Sequence, residues 1–409
     1  WSMEYCWFYR SFDWFIDDKT ALTLYTNQWF GKGSGSINSD VRDNNTNILY
    51  PNSSEFSGDW KSQDYSLNLK REFDHADHNL VLDVFFSKSK DPDDRDMLNF
   101  YPKKEKYYED RLPITDNTRV NLDYTNQIKD GGKIEAGLQF RRENSDSDML
   151  TDRRITVEGQ LYDPSTDFNF TRDFFSAYVN YGQKFGKFGM QLGLRAEQFK
   201  DSGDYTVNVT VKRKLDNEKL DFFPSAFLTY DVTEKGQVSL NYSRRIDRPG
   251  INQLSPVPEW STPLMSSVGN PNLKPEYTDN YEVGYLQRFD KNSISANVFY
   301  RQIKDNIFRN VLRNEEVIGA YIQNYENYDK VNAYGFELSF NLVPTKWWST
   351  NISGDYTHNT MVVQQETELI EMDANRLTAR MNNTFKLTKV ISLQHFFMYQ
   401  GKSRFLQGE

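Results

Sequence analysis

The sequence predicts an all-β protein, a transmembrane antiparallel β-barrel, and three observations carry that prediction. Apolar and polar residues alternate over many segments of about ten residues, as barrel strands do with one face on lipid and one on water. Short turns and long polar connections follow one another in regular alternation. No run of about 18 apolar residues is present, so no helix is coded to cross a membrane, while a barrel strand never scores as hydrophobic.

The clearest strand is 188–197, where Phe188, Met190, Leu192, Leu194 and Ala196 share one face and Gly189, Gln191, Gly193, Arg195 and Glu197 the other. Ile134, Ala136, Leu138 and Phe140 alternate with Glu135, Gly137, Gln139 and Arg141 in the same way. Further copies are Val120, Leu122 and Tyr124, then Ala226, Leu228, Tyr230 and Val232, then Phe336, Leu338, Phe340 and Leu342 against Gly335, Glu337, Ser339 and Asn341. An arginine on the lipid face at the midplane costs roughly 2–4 kcal/mol. Arg141, Arg195, Glu197 and Glu337 are therefore expected to face the lumen.

Short turns are predicted near 17–19, 74–77, 129–132, 182–186, 233–236, 290–292, 343–345 and 387–389. Between them lie polar stretches, read as long loops, near 31–62, 89–116, 145–170, 201–219, 247–277 and 360–373. The one break in this rhythm, a short tip near 313–316, sits between strands long enough to form a protruding hairpin. The count is about 16 strands, with turns on one rim and loops on the other. Trp29, Phe30, Phe174, Phe175, Trp347 and Trp348 near strand ends fit interfacial girdles.

The composition agrees: the 409 residues are 15% aromatic with a formal charge of −9, and mean hydropathy is −0.77. An acidic chain of this kind is not a general nucleic-acid binder, which would show a basic face. Cys6 is the single cysteine and forms no internal disulfide. It reads as a buried or incidental thiol. Neither a Pro- or Gly/Ser-rich linker nor a solenoid repeat divides residues 1–409, which read as one barrel domain. The chain starts at Trp1 without a leader-like stretch and ends in GKSRFLQGE, so it reads as partial, entering in mid-strand and stopping in an outer connection.

The segment 244–285 stands apart. A strand end with Arg244, Arg245, Asp247 and Arg248 runs into a Pro- and Asn-rich connection, and a new alternating strand follows at Tyr281, Val283 and Tyr285. Proline neither donates to a ladder nor continues a helix, so this stretch is a long ordered connection, and such connections are usually functional.

Asn241–Tyr242–Ser243–Arg244–Arg245, Arg248–Pro249, the run Gly269–Asn270–Pro271–Asn272–Leu273–Lys274–Pro275–Glu276 and Tyr281–Glu282–Val283–Gly284–Tyr285 resemble the barrel half of TonB-dependent outer-membrane receptors, specifically the outer-membrane barrel family abundant in Bacteroidetes. Supporting matches are Leu192–Glu197, Phe223–Ser225 and Tyr334–Leu338. The resemblance covers most of the chain from about Tyr65 onward. It implies residence in the bacterial outer membrane, contact with its lipid and lipopolysaccharide, a 22-stranded cylinder, and a lumen plug outside these residues. It further implies import of a substrate, with energy drawn from an inner-membrane complex through a missing N-terminal region, and a surface lipoprotein or envelope complex as a possible partner. Within these residues no plug, energy-coupling box or terminal aromatic strand is found.

No nucleophile elbow, zinc-protease helix, phosphate loop or dinucleotide fingerprint appears in the right context, so neither an enzyme nor a bound cofactor is read. His75 and His78, with Asp74 or Asp77, have metal-ligand spacing but fall in a short turn, where a solvated turn is the better reading. The run Asp91, Asp93, Asp94 and Asp96 lacks calcium-loop spacing and reads as an acidic surface. Arg244, Arg245 and Arg248 with Asp247 suit either an anionic ligand or lipopolysaccharide phosphate at the outer rim, or carboxylates that hold the long loop down, and the second is preferred. Trp260, flanked by Pro256 and Pro258, is a candidate ligand contact, as readily explained by packing on its own barrel. The function expected is therefore an importing receptor barrel. A non-transporting barrel that serves as a structural or docking component of an envelope or secretion assembly is the alternative, and a soluble all-β binding protein a weaker third.

Overall fold

The computed structural model describes residues 2–402 apart from 44–45, 76, 101–103, 129–130, 158–159, 164, 208–210, 258, 263, 315–319 and 366–367. The chain opens with β1 (Ser2–Asp17), β2 (Thr20–Arg42), β3 (Leu49–Glu72), β4 (Asn79–Lys90), β5 (Asp93–Asn99), β6 (Glu105–Gln127) and β7 (Lys133–Thr151). A small hairpin follows, β8 (Ile155–Val157) and β9 (Gln160–Tyr162). Then come β10 (Thr166–Phe185), β11 (Phe188–Val207), β12 (Val211–Asp231) and β13 (Gly236–Asp247). The long connection holds one helical turn, α1 (Ile251–Leu254), and two short strands, β14 (Glu259–Thr262) and β15 (Met265–Ser267). The sheet resumes with β16 (Glu276–Phe289), β17 (Asn292–Arg313), β18 (Tyr321–Thr345), β19 (Trp348–Gln365), β20 (Glu368–Lys386) and β21 (Ser392–Gln400).

Sequential strands pair antiparallel in one 19-stranded sheet. Of these, β14 and β15 belong to the connection, and β4 and β5 are two segments of one crossing between β3 and β6. Sixteen crossings result, the number read from the sequence. Among the described residues β1 pairs only with β2 and β21 only with β20, and these strands form the two margins of the sheet.

The pleat separates the two faces as period-2 alternation requires. Leu240, Val283, Val298, Phe336, Tyr356 and Leu377 are successive cross-strand partners and form one outward apolar row. Leu240, Val283 and Val298 are 52%, 53% and 62% exposed, which fits a face made for lipid rather than for a protein core. One register step away, Ser239, Gly284, Asn297, Glu337 and Asp355 form a polar row on the opposite face. At the short-turn rim Gly186 takes φ +57°, where a Cβ would be strained.

Among the described residues, the polar stretches at 31–62, 89–116, 201–219 and 360–373 are mostly paired strand rather than loop. They are the upper halves of long paired hairpins: β2 and β3 stay in register from Thr20↔Arg71 to Arg42↔Leu49. At 23 and 24 residues these strands are more than twice the ~9–11 residues a crossing needs. Above the bilayer both faces lose the apolar requirement, so the alternation fades. The backbone groups still need partners, and the ladder continues.

The buried apolar core lies at the long-loop rim. Leu254, Val257 and Leu273 of the long connection pack with Met149 (β7), Phe168 and Phe170 (β10) and Leu215 (β12), and Ile307 (β17) and Tyr325 (β18) rest against them. The connection therefore spans from one wall of the mouth to another. Its β15 adds in parallel to β18 at Met265↔Tyr321 through Ser267↔Gln323.

The GNPNLKPE run is the anchor of this span. Asn270 Nδ2 donates to Tyr325 O at 2.9 Å, and its Oδ1 accepts from Asn272 N at 3.0 Å. Lys274 N donates to Asn327 Oδ1 at 2.8 Å, and Glu276 Oε2 accepts from Asn306 Nδ2 at 2.7 Å. A Cβ on Gly269 would lie 2.4 Å from Ser255 O and 2.7 Å from Gln253 O, both rigid backbone. Gly269→Ala is expected to cost about 1–3 kcal/mol, and faster limited proteolysis within 255–268 with unchanged membrane insertion is the result to look for.

Candidate functional site

Where β13 ends and the long connection turns inward, a cavity of about 560 Å³ opens on the lumen wall between β7, β10, β11, β12 and the 244–250 segment. Its lining brings together Arg141, Arg195, Glu197, Arg244, Arg245, Asp247 and Arg248, residues the sequence placed on separate elements. Antiparallel pairing explains the convergence: Phe174 on β10 lies opposite Arg141 on β7, and Arg195 and Glu197 on β11 lie opposite Phe223 and Asp221 on β12.

Two guanidinium clamps hold the connection. Arg172, which the sequence reading missed, donates Nε and Nη2 to both oxygens of Asp201 at 2.6 and 2.7 Å. Its Nη1 donates to the carbonyl of Pro249 at 2.8 Å, and the ion pair is 4% and 5% exposed. Arg248 Nη1 meets Glu197 Oε1 at 2.5 Å. The other oxygen of Glu197 accepts from Arg195 Nη2 at 2.8 Å, and Arg195 also donates to Gln139 and Ser176. The alternation around Arg172 is polar-in like that around Arg195, but its partner Asp201 lies in a stretch read as loop, which hid the pair.

Aromatic rings make up the remaining surface. The Arg141 guanidinium lies 3.9 Å from the Phe174 ring centroid, and Arg248 sits between Phe174 and Phe199 at 5.1 and 4.7 Å. These cation–π contacts fix the guanidinium planes at modest energetic benefit. Arg248 Nε and Nη2 are buried with no acceptor among the described residues, and Arg141 Nε lies 3.3 Å from Glu143 Oε1. Burial lowers the proton affinity of Arg248, while the neighbouring Glu197 carboxylate opposes that change. Arg244 stacks over Tyr277 at 5.3 Å, and Tyr277 in turn bridges Asp221 and Lys219 at 2.8 and 2.6 Å. Arg245 and Asp247 are exposed at the cavity edge.

Other expected residues fall elsewhere. Glu337 lies on β18 opposite Asn297 and Asp355, outside this cavity. Trp260 belongs to β14 opposite Ser266, and its side chain lies outside the described residues. Phe174 and Phe175 cannot both lie in a girdle, because neighbours in a strand point to opposite faces: Phe175 is 55% exposed, whereas Phe174 is 2% exposed within the arginine cluster. Cys6 is exposed, which removes the buried reading of its thiol. His75 and His78 lie in the β3–β4 turn, bonded to Asn126 and Tyr124 on β6. Among the described residues no three His, Cys, Asp or Glu side chains converge as metal ligands.

Asp93, Asp94 and Asp96 of the acidic run lie on β5, and Asp94 stands directly across from Asp110. Burial pushes the Asp94 carboxyl up, and the adjacent Asp110 carboxylate pushes it further in the same direction. A carboxyl raised in the fold contributes stability that is fully present below its unfolded value near 3.8 and is lost as pH rises through the folded value. The β5–β6 hairpin is thus expected to show higher amide protection, after division by the intrinsic exchange rate at each pH, at acid pH than at pH 7. Asp110→Asn should flatten that dependence, as read by hydrogen exchange over 93–99 and 105–111.

Comparison with known proteins returns the same architecture. The siderophore receptor PiuA from Acinetobacter baumannii matches with a TM-score of 0.56 at 12% identity, over 97% of this chain and 67% of that one. FpvA from P. aeruginosa, solved with bound pyoverdines, gives 0.55 at 12% identity, over 96% and 60%. The ferric yersiniabactin uptake receptor FyuA from Yersinia pestis gives 0.51 at 12% identity, over 95% and 68%. At such identity the likeness is one of fold. No curated sequence matches. Residues 71–409, most of the chain, match the family model described as the outer membrane protein beta-barrel family, so the chain belongs to that family and is a β-barrel of the bacterial outer membrane.

Proposed function

We propose that the chain is the barrel of a TonB-dependent receptor that imports a substrate across the outer membrane, with energy from an inner-membrane complex reached through a region outside these residues. One observation carries the reading: a continuous polar inner face rises to a mouth spanned by an ordered, anchored connection. Such a wall suits a hydrophilic passage whose entrance is shaped for recognition. Barrels similar to it in fold include a siderophore receptor and a ferric yersiniabactin uptake receptor, which favours import over a purely structural role. Further strands, and a plug within the lumen, complete the receptor in this reading.

Uptake in cells is the test. Labelled ferric complexes, copper and glycans are offered to wild-type cells and to cells lacking the gene, with and without a protonophore. Energised, saturable accumulation of one of them that disappears with the gene supports the proposal. Unchanged accumulation across the panel, with the protein recovered in a stoichiometric envelope complex, would replace it with the docking role.

A further inference from the structure

We infer that the arginine-lined cavity on the lumen wall is a binding site for an oxyanionic group, a carboxylate or a phosphate, carried by the substrate that traverses the barrel. The inference rests on the import reading and specifies the chemistry of its cargo. Charge is the first argument. Six arginines line the cavity against Glu143, Glu197 and Asp247, and only Arg172 is neutralised from outside the lining, by Asp201. Glu197 is divided between Arg195 and Arg248. Arg244 and Arg245 have no salt bridge among the described residues. The protein therefore concentrates positive charge here against a whole-chain charge of −9.

The second argument is unsatisfied donors. Arg248 keeps Nε and Nη2 buried without acceptors among the described residues, while Arg141 is held by Glu143 at 3.3 Å through Nε. Guanidinium donors in a low-dielectric wall are normally paired, and an acceptor arriving from the lumen would supply the missing bonds. Preorganisation is the third. Stacking on Phe174 fixes the planes of Arg141 and Arg248 before any ligand arrives, so little side-chain freedom is lost on binding. The cavity, at about 560 Å³, holds an oxyanion together with part of its carrier. Its lining takes in 244–248 and Gly250, the start of the anchored connection.

The test uses the full-length receptor purified in detergent and titrated calorimetrically with citrate and with inorganic phosphate at constant ionic strength in chloride. Saturable binding of either probe is expected, and the tighter one identifies the group. Arg141→Gln and Arg245→Gln should each weaken it at least about tenfold, as loss of a charge-assisted bond implies. Lys346→Gln, at the opposite rim, should leave it unchanged. If a glutamine variant unfolds, Arg141→Lys and Arg245→Lys take its place: each keeps the charge, loses the fork and should bind several-fold more weakly. Non-saturable heats, or equal affinity in wild type and in both arginine variants, would overturn the assignment. Binding to purified protein needs no energy source. Binding without uptake would thus sink only the transport reading, and uptake without binding only this site.

Discussion

Asp201→Asn is expected to destabilise the protein by about 3–5 kcal/mol and to free the connection between β13 and β16. Asp201 accepts both ends of the Arg172 fork, and both side chains are almost fully buried. The substitution removes the negative charge and leaves the buried guanidinium with neutral partners alone, the amide oxygen of the new asparagine, the Pro249 carbonyl and the Phe170 and Phe174 rings. Arg172 would then turn toward water, and that carbonyl would lose the bond that holds the start of the connection. The core contributed by Leu254, Val257 and Leu273 depends on this position. Denaturant unfolding in detergent should show the loss, and protease should cut within 250–275 before any other segment. The double replacement Arg172→Met with Asp201→Leu should recover much of the stability, because a buried pair is costly mainly when half of it is removed. A double variant as unstable as Asp201→Asn would refute the clamp.

Leu240→Arg is expected to cost about 2–4 kcal/mol and to block assembly, while Asn241→Arg should be close to neutral. Leu240 lies four residues above the end of the short turn at Gly236, which at ~3.3 Å per residue and the usual tilt is about 10 Å up the strand, near the bilayer midplane. Its row of partners is apolar in both directions, through Leu228 and Val283. Asn241 is opposite Phe227 and Glu282, and Glu282 pairs with Arg301 at 3.8 Å on the inner wall. Folding into lipid vesicles, followed by the heat-resistant mobility of folded barrels on gels, separates the two outcomes. Equal tolerance at both positions would reverse or abolish the assigned faces.

Most of the membrane-spanning half was legible because lipid imposes a rule on every second side chain. That rule set the number of crossings and led to the expectation that Arg141, Arg195, Glu197 and Glu337 face inward. It lost force above the bilayer, where water on both sides removes the alternation, so paired strands such as β2 and β3 looked like loops. The Phe174 assignment failed for a related reason: aromatic identity near a strand end says nothing about which face the ring takes, and parity does.

The motif run 269–276 shows the division most clearly. The sequence marked it as a family signature and an ordered connection. Only the fold showed why each residue is there, with Gly269 against the Ser255 backbone and Asn270 bonded to Tyr325 from β18. By itself, then, the sequence determined the barrel, its number of crossings and the alternation of its strands, since these follow from local periodicity against a slab of hydrocarbon. Tertiary structure alone decided that Arg172, Arg195, Glu197 and Arg248 meet in one cavity. Their pairing depends on strand register and on a connection that crosses the mouth, contacts between residues as much as 77 positions apart, and no local pattern encodes such distances.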